Sequence, residues 1–117
     1  MELKKMTVQG REVEFVNAFR DKRYGFAHDT TMFIDGRRVA EDTAHYINRT
    51  WERYTYQTVM RSAVYRLIDD REIILKHKFM QENGYKKLTP QRKIAFAEVV
   101  DADADIQFYR EIRDMLA

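Results

Sequence analysis

The chain has 117 residues, no cysteine and a formal net charge of +2, with 44% hydrophobic and 13% aromatic residues. This length predicts one domain with its own core, and the lack of cysteine excludes a disulfide scaffold, a thiol nucleophile and a cysteine-ligated zinc or iron–sulfur site. Four glycines and one proline exclude collagen-like and glycine-rich phosphate-loop proteins.

The hydropathy pattern indicates the cellular compartment of the protein. No apolar run approaches the roughly 18 residues that cross a membrane. The first residues, Met1-Glu2-Leu3-Lys4-Lys5, lead into strand-like sequence without the apolar core of a signal peptide. We therefore expect a cytoplasmic protein.

The charge is unevenly distributed. Residues 1–52 hold nine Lys/Arg and nine Asp/Glu, residues 53–93 hold ten and four, and residues 94–117 hold two and six. A basic middle followed by an acidic tail can attract a polyanion, or the two segments can pair within the fold. Both interpretations stay open at this point.

The first half of the chain has the alternation typical of β-strands, since Val13 and Phe15 alternate with Glu12 and Glu14. Gln9-Gly10 and Asp35-Gly36 lie between such runs and predict two tight hairpin turns. The first turn would set Lys5 opposite Glu14 and Met6 opposite Val13, both favourable pairs. The predicted strands cover residues 3–8, 11–19, 26–34 and 37–47, with a polar loop at residues 21–25 between the hairpins.

The period changes to that of a helix after Thr50. Apolar residues then fall on one helix face, at Tyr56, Val59, Met60, Ala63, Val64, Leu67 and Ile68. Asn48 or Thr50 would cap the start of this helix, and Asn83-Gly84 would end it. Because Ile73, Ile74 and Leu75 are consecutive, we expect either a bend near Asp69-Asp70 or two helices end to end.

Two further helices are expected at the C-terminus. Thr89-Pro90 has the residue types of a helix start, and the stretch from Asp101 to Asp105 separates this helix from a last one. The sequence therefore predicts a single α+β domain, residues 1–117. A small antiparallel meander of three or four strands (residues 1–50) packs on a long helix (51–83), followed by short C-terminal helices (89–117).

Several residue groups resemble catalytic or metal sites. His28 and His45 would share a sheet face diagonally if His28 lay opposite Thr43, but no third metal ligand is fixed. Asp101, Asp103 and Asp105 resemble the opening of a calcium-binding loop. Such a loop also needs a glycine at its sixth position and a glutamate at its twelfth, and this sequence has neither at those positions. The one serine, Ser62, lies on the core-bearing helix. We expect no enzyme, no metal and no cofactor.

Basic and aromatic residues are mixed in the first half. Arginine beside exposed aromatic side chains is one way in which proteins hold nucleic acid. The alternative is that the aromatics seal the junction of sheet and helix while the arginines are solvated. The candidate partner-binding or nucleic-acid-binding residues are Arg20, Lys22, Arg23 and Tyr24 in the inter-hairpin loop, Arg37 and Arg38 after the turn, and Arg49.

The stretch from Arg23 to Val64 resembles small, largely uncharacterised proteins of phages and mobile elements of Gram-positive bacteria. The shared block reads Gly-Phe-x-His, a strand and a glycine turn, then Tyr-hydrophobic-Asn-Arg-Thr-Trp-Glu and Tyr-x-Tyr-Gln. Its positions here are Gly25, Phe26, His28, Gly36, Tyr46, Asn48, Arg49, Thr50, Trp51, Glu52, Tyr54, Tyr56 and Gln57. The same residues also have a purely structural account as helix caps and as a cover for the end of the sheet.

The resemblance implies a non-enzymatic accessory protein in the cytoplasm of a bacterial host, which binds and inhibits a host defence complex. An anti-CRISPR protein acting on a type II effector is the sharpest version of this expectation. The alternative is a small nucleic-acid-binding regulator that uses the basic loop and sheet surface.

The helical half carries more apolar surface than one sheet face covers. Phe108 and Tyr109 are neighbours about 100° apart around the helix axis, and exposed apolar patches often mark interfaces. We therefore expect a homodimer through Ile74, Phe79, Phe108 and Tyr109; in the alternative, these helices close a monomeric core.

Overall fold

The computed structural model of the chain describes residues 2–22, 25–46 and 56–117. The strands are β1 (Glu2–Val8), β2 (Arg11–Lys22), β3 (Gly25–Ile34) and β4 (Arg37–Tyr46), and the helices are α1 (Tyr56–Asn83), α2 (Pro90–Ala102) and α3 (Ala104–Met115). The strands form one antiparallel sheet in the order β1-β2-β3-β4. The predicted α+β class, with a meander, a long helix and short C-terminal helices, is confirmed.

Two-residue turns close the first and the last hairpin of the sheet. Gln9 and Gly10 have φ of 51° and 75°, and Asp35 and Gly36 have φ of 51° and 78°. Positive φ at both central residues is the turn geometry that matches the right-handed twist of paired strands, and glycine adopts it without strain. Both predicted hairpins are confirmed.

The carboxylate of Asp35 ties the two turns together. It accepts hydrogen bonds from the Glu12 N–H and from Nε of Arg11, both at 3.0 Å. The Asp35 N–H in turn donates to the Glu12 carbonyl at 2.8 Å. The bond from Arg11 is the largest of the effects that lower the pKa of Asp35.

The predicted pairing of β1 with β2 is confirmed, since Lys5 lies opposite Glu14 and Met6 opposite Val13. The pairing of β3 with β4 differs from the prediction by one residue. Met32 pairs with Ala40 and Phe33 with Arg38, so Val39 is an extra residue in a β-bulge.

The bulge overturns the predicted histidine pair. His28 lies opposite Ala44 and not Thr43, and His45 lies opposite Ala27. Since a shift of one residue exchanges the two faces of a strand, the register that would have placed both histidines on one face is not formed.

One face of the sheet packs against α1. The predicted helix face is confirmed: Val59, Met60, Ala63, Val64 and Ile68 are buried, and Tyr56 and Leu67 are half-buried. The sheet contributes the alternating side chains Val13, Phe15, Met32 and Ile34, each at most 5% exposed. The same cluster of buried residues includes members of all three helices, so sheet and helices share one core.

A polar pair lies inside this core. Asn17 is 0% and Thr30 is 1% exposed. The Thr30 hydroxyl donates to Oδ1 of Asn17 at 2.7 Å, and Nδ2 of Asn17 donates to the sulfur of Met60 at 3.4 Å. Since buried polar atoms are stable only when paired, this pair favours one position of α1 over the sheet.

Two element boundaries differ from the prediction. Strand β2 continues to Lys22 and β3 begins at Gly25, so Arg20 and Lys22 lie on a strand and not in a loop. Helix α1 is continuous from Tyr56 to Asn83, so the alternative of two helices end to end is wrong. The predicted caps Asn48 and Thr50 lie outside the described residues.

The second half of α1 extends beyond the sheet and forms a helical hairpin with α2. The radius of gyration of the whole chain, 17.1 Å, exceeds the roughly 13 Å expected for a compact chain of this length. Leu75 is buried and Phe79 is half-buried, while Ile73 and Ile74 are 56% and 57% exposed. The hairpin is therefore packed on one side and open on the others.

Candidate anion-binding cleft at the helical tip

Two of the predicted basic residues that the structure describes, Arg20 and Arg38, are neutralised by carboxylates. Arg20 binds Asp29 through Nε and through Nη2, the latter at 2.8 Å, and this hydrogen bonding raises the pKa of Arg20. Arg38 forms an ion pair with Glu41, whereas Arg37 is exposed. A cation that already binds a carboxylate has little charge left for a phosphate.

These arginines do not converge either. Arg20 lies opposite Ala27 and Arg37 opposite Ile34, which are seven residues apart along β3. At about 3.3 Å per residue the separation is about 23 Å. Lys22 is the last residue of β2, and Arg23, Tyr24 and Arg49 lie outside the described residues. Arg20 and Arg37 thus lie at different ends of the sheet.

The predicted dimer residues have different environments. Phe108 is 3% exposed within a single chain, and the Arg11 guanidinium lies 4.8 Å from its ring centre. This burial favours the alternative in which α3 closes a monomeric core, and the homodimer stays a prediction. Tyr109 packs against the same core, Phe79 lies between Tyr85 and Phe96, and Ile74 is exposed.

The structure brings together a basic group that the prediction did not select. A cleft of about 730 Å³ lies where α1 ends, the chain turns and α2 begins. Four lysines and a histidine line it, together with Met80, Gln81, Tyr85 and Leu88. The basic residues are Lys76, His77, Lys86, Lys87 and Lys93.

The cleft is basic without compensation. None of the described residues that line it is acidic, and all four lysines are exposed. Lys78 of the same hairpin pairs with Glu82 at 4.0 Å, and both of these residues lie outside the lining of the cleft. Like charges held together in a concave surface raise the local concentration of anions.

Backbone geometry at the end of α1 positions the lysines. Gly84 has φ of 66°, its N–H donates to the Gln81 carbonyl at 3.3 Å, and the Tyr85 N–H donates to the Met80 carbonyl at 2.9 Å. These two bonds form the Schellman motif, which satisfies the last carbonyls of a helix and needs left-handed backbone. The predicted stop at Asn83-Gly84 is thereby confirmed.

The start of α2 holds the other side of the turn. Thr89 is the N-cap, its hydroxyl accepts from the Arg92 N–H at 3.4 Å, and Pro90 follows as the first helical residue. Nη1 of Arg92 donates to the Lys87 carbonyl at 3.2 Å. The predicted start at Thr89-Pro90 is confirmed, and both ends of the turn are fixed by hydrogen bonds.

An aromatic ring forms part of the cleft wall. The Arg92 guanidinium lies 3.8 Å from the ring centre of Tyr85, and Phe79 contacts the same ring edge to face at 5.8 Å. Arg92 is not among the residues that line the cleft. Arg92 therefore holds the ring of Tyr85 by a cation–π contact, and Tyr85 also lines the cleft.

The catalytic alternatives find no support in the described part of the chain. Among its residues, no group of three or more histidines or carboxylates could hold a metal ion. Ser62 donates to the carboxylate of Asp42. His28 packs between Phe19 and Tyr56, at 5.3 and 4.8 Å between ring centres, and burial lowers its pKa against a smaller opposing effect of Asp29.

The sequence contained partial signals for the cleft. The surplus of basic residues in 53–93 and the two helix-end signals were visible, but the meeting of Lys76 with Lys93 depends on how α2 folds back along α1.

No helix of the described ranges is long and apolar enough to cross a membrane. Comparison with protein-family models, curated proteins and solved structures found no match to this chain.

Proposed function

We propose that this protein is a non-enzymatic binding protein that holds nucleic acid through the basic cleft at the tip of the α1–α2 hairpin. The observation that carries the proposal is the convergence of Lys76, Lys86, Lys87 and Lys93 on one cleft whose described lining has no acidic residue. Exposed, unpaired ammonium groups are the usual ligands of backbone phosphates.

The electrostatics of the free cleft favour this ligand. The lysines repel one another while the cleft is empty, and a chain of phosphates removes that repulsion and releases its own condensed counterions. The arginines of the sheet differ, since Arg20 and Arg38 would first have to leave Asp29 and Glu41. The tip therefore offers more binding free energy per cation than the sheet surface.

A charge-reversal experiment tests the proposal. The double variant Lys86→Glu/Lys87→Glu changes the tip, and Lys4→Glu/Lys5→Glu makes the same change of net charge on β1, away from the cleft. Fluorescence anisotropy with labelled oligonucleotides at low salt should show an affinity loss of about 10-fold or more for the tip variant. The β1 variant should stay close to the wild-type protein.

Two results would contradict the proposal. Equal losses in both variants would mean that net charge and not the cleft attracts the oligonucleotide. Absence of binding by the wild-type protein to duplex and single-stranded DNA and RNA at low salt would refute nucleic-acid binding altogether.

The second candidate is a phage-type accessory protein that inhibits a host defence complex, with a type II CRISPR effector as its sharpest form. What supports it is the resemblance of residues 23–64; the most specific string of that block, Asn48 to Glu52, lies outside the described residues. Co-purification with candidate effectors and a cleavage assay with and without the protein test it. No inhibition and no co-elution across type II effectors would reject the anti-CRISPR version.

A further inference from the structure

The size of the tip cleft restricts which form of nucleic acid it can hold. Its volume of about 730 Å³ lies within the roughly 300–1,000 Å³ of small-ligand pockets. Such a cleft takes one or two nucleotides and not the width of a double helix. A duplex could contact only its rim.

The aromatic wall points in the same direction. A base can stack on a tyrosine ring only if one of its faces is free, and in a duplex both faces are covered by neighbouring base pairs. Single-stranded nucleic acid exposes these faces, and proteins that bind it combine basic grooves with aromatic platforms. Tyr85 and the four lysines supply both components in one cleft.

The ring of Tyr85 already makes contacts on the protein side before any ligand is bound. Arg92 covers Tyr85 at 3.8 Å, Phe79 packs on it, and its backbone N–H is bonded to Met80. A ring that is fixed before binding loses little conformational entropy when a base stacks on it.

We propose that the ligand of the cleft is single-stranded nucleic acid, with one base stacked at Tyr85 and the adjacent phosphates bound by Lys86, Lys87 and Lys93. This inference rests on the proposed nucleic-acid function and adds the strandedness of the ligand and a stacking residue. Sequence preference is weak at such a site because every base has a face that can stack.

The experiment compares three probes of about 12 nucleotides, a length within the range that small single-strand-binding folds cover: a single strand, its duplex, and a strand of the same length without bases. We expect the wild-type protein to bind the single strand about 10-fold or more tightly than the abasic strand. The duplex should bind more weakly than the single strand, because its base faces are covered by neighbouring base pairs.

Two substitutions then assign the stacking to one ring. Tyr85→Leu should weaken binding of the single strand about 5- to 150-fold, the range measured for loss of base stacking, and should leave the abasic strand unchanged. Tyr85→Phe keeps the ring and should bind both probes as the wild-type protein does. Thermal melting followed by circular dichroism shows whether either variant is folded. The comparison of the single strand with the abasic strand uses the wild-type protein, so it does not depend on the folding of a variant.

The outcomes separate this inference from the function on which it rests. Equal affinity of the wild-type protein for single and abasic strands, or tighter binding of the duplex, refutes the single-strand inference and leaves phosphate binding intact. If the wild-type protein binds none of the three probes, both the single-strand inference and the proposed nucleic-acid function are refuted.

Discussion

Replacing Asp103 by alanine removes the contacts that fix the joint between α2 and α3. The carboxylate accepts hydrogen bonds from the Ile106 N–H at 3.0 Å and from Nε and Nη2 of Arg71 at 3.0 and 2.8 Å. Its side chain is 12% exposed. The same residue therefore caps α3 and ties the joint to α1, at the base of the hairpin that carries the cleft.

The expected loss of stability follows from these contacts. A helix N-cap contributes about 1 kcal/mol, and hydrogen bonds between charged groups contribute about 1.5–3 kcal/mol. Since both act through one carboxylate and Arg71 is partly exposed, we expect Asp103→Ala to lower the free energy of unfolding by about 2–4 kcal/mol. For a domain of this size that corresponds to a fall in Tm of about 8–16 °C.

Urea and thermal unfolding measure this loss, and Asp101→Ala is the matched control. Asp101 also binds an arginine, Arg110 at 2.7 Å, but its side chain is 65% exposed. An exposed pair contributes about 0–1 kcal/mol, so the control should change stability little. Equal destabilisation by the two substitutions would refute the assignment of Asp103 as the joint.

The pH dependence gives the same residue a second test. Hydrogen bonding from Arg71 is the main effect that lowers the pKa of Asp103 below its ordinary 3.8. A lowered carboxyl pKa stabilises the fold above the unfolded-state value, and this stabilisation is lost as the pH falls through the folded-state value. The stability difference between the wild-type protein and Asp103→Ala should therefore shrink below about pH 3.8.

Three other predictions concern the tip, the core and His28. Gly84→Ala should lower the free energy of unfolding by about 1–2 kcal/mol because φ is 66° there, and it should weaken oligonucleotide binding. Gly84→Asn should be tolerated better. Equal effects of the two substitutions in melting and anisotropy would contradict this. Phe108→Glu should prevent folding and Ile74→Glu should not, as measured by circular dichroism. Light scattering of the wild-type protein tests the predicted homodimer: a mass near 14 kDa would reject it, and twice that mass would support it. Burial lowers the pKa of His28, so the free energy of unfolding should fall as the pH drops below 6.5. His28→Phe should reduce this pH dependence in urea titrations. An unchanged slope of unfolding free energy against pH would contradict the prediction.

Features that follow from local rules were predictable from the sequence. Asp35-Gly36 is a preferred pair for a two-residue turn, and Gly10 lies between two runs of strand period, so both hairpins and the β1–β2 register could be assigned without knowledge of the rest. The same holds for Gly84 and for Thr89-Pro90, where a few residues determine how a helix ends or begins. In each case the physical cause lies within the residues themselves.

Features that depend on distant contacts were not predictable in this way. The bulge at Val39 has no local signal, and the shift of one residue that it introduces was enough to invalidate the histidine pair. Phe108 was expected on the outside because periodicity does not say which face of α3 meets the core. The cleft was missed because Lys76 and Lys93 are brought together only when α2 packs along α1.

The salt dependence of oligonucleotide binding tests the central claim most directly, because it reports how many phosphates the cleft neutralises. For single strands the logarithm of the binding constant falls by about 0.7 per phosphate contact for each unit of log salt concentration. Four lysines in the cleft therefore predict a slope of about −2 to −3, and Lys86→Gln/Lys87→Gln should make it shallower by about 1.4. A wild-type slope near zero, or a slope that the double substitution leaves unchanged, would contradict the assignment of the cleft as the nucleic-acid site.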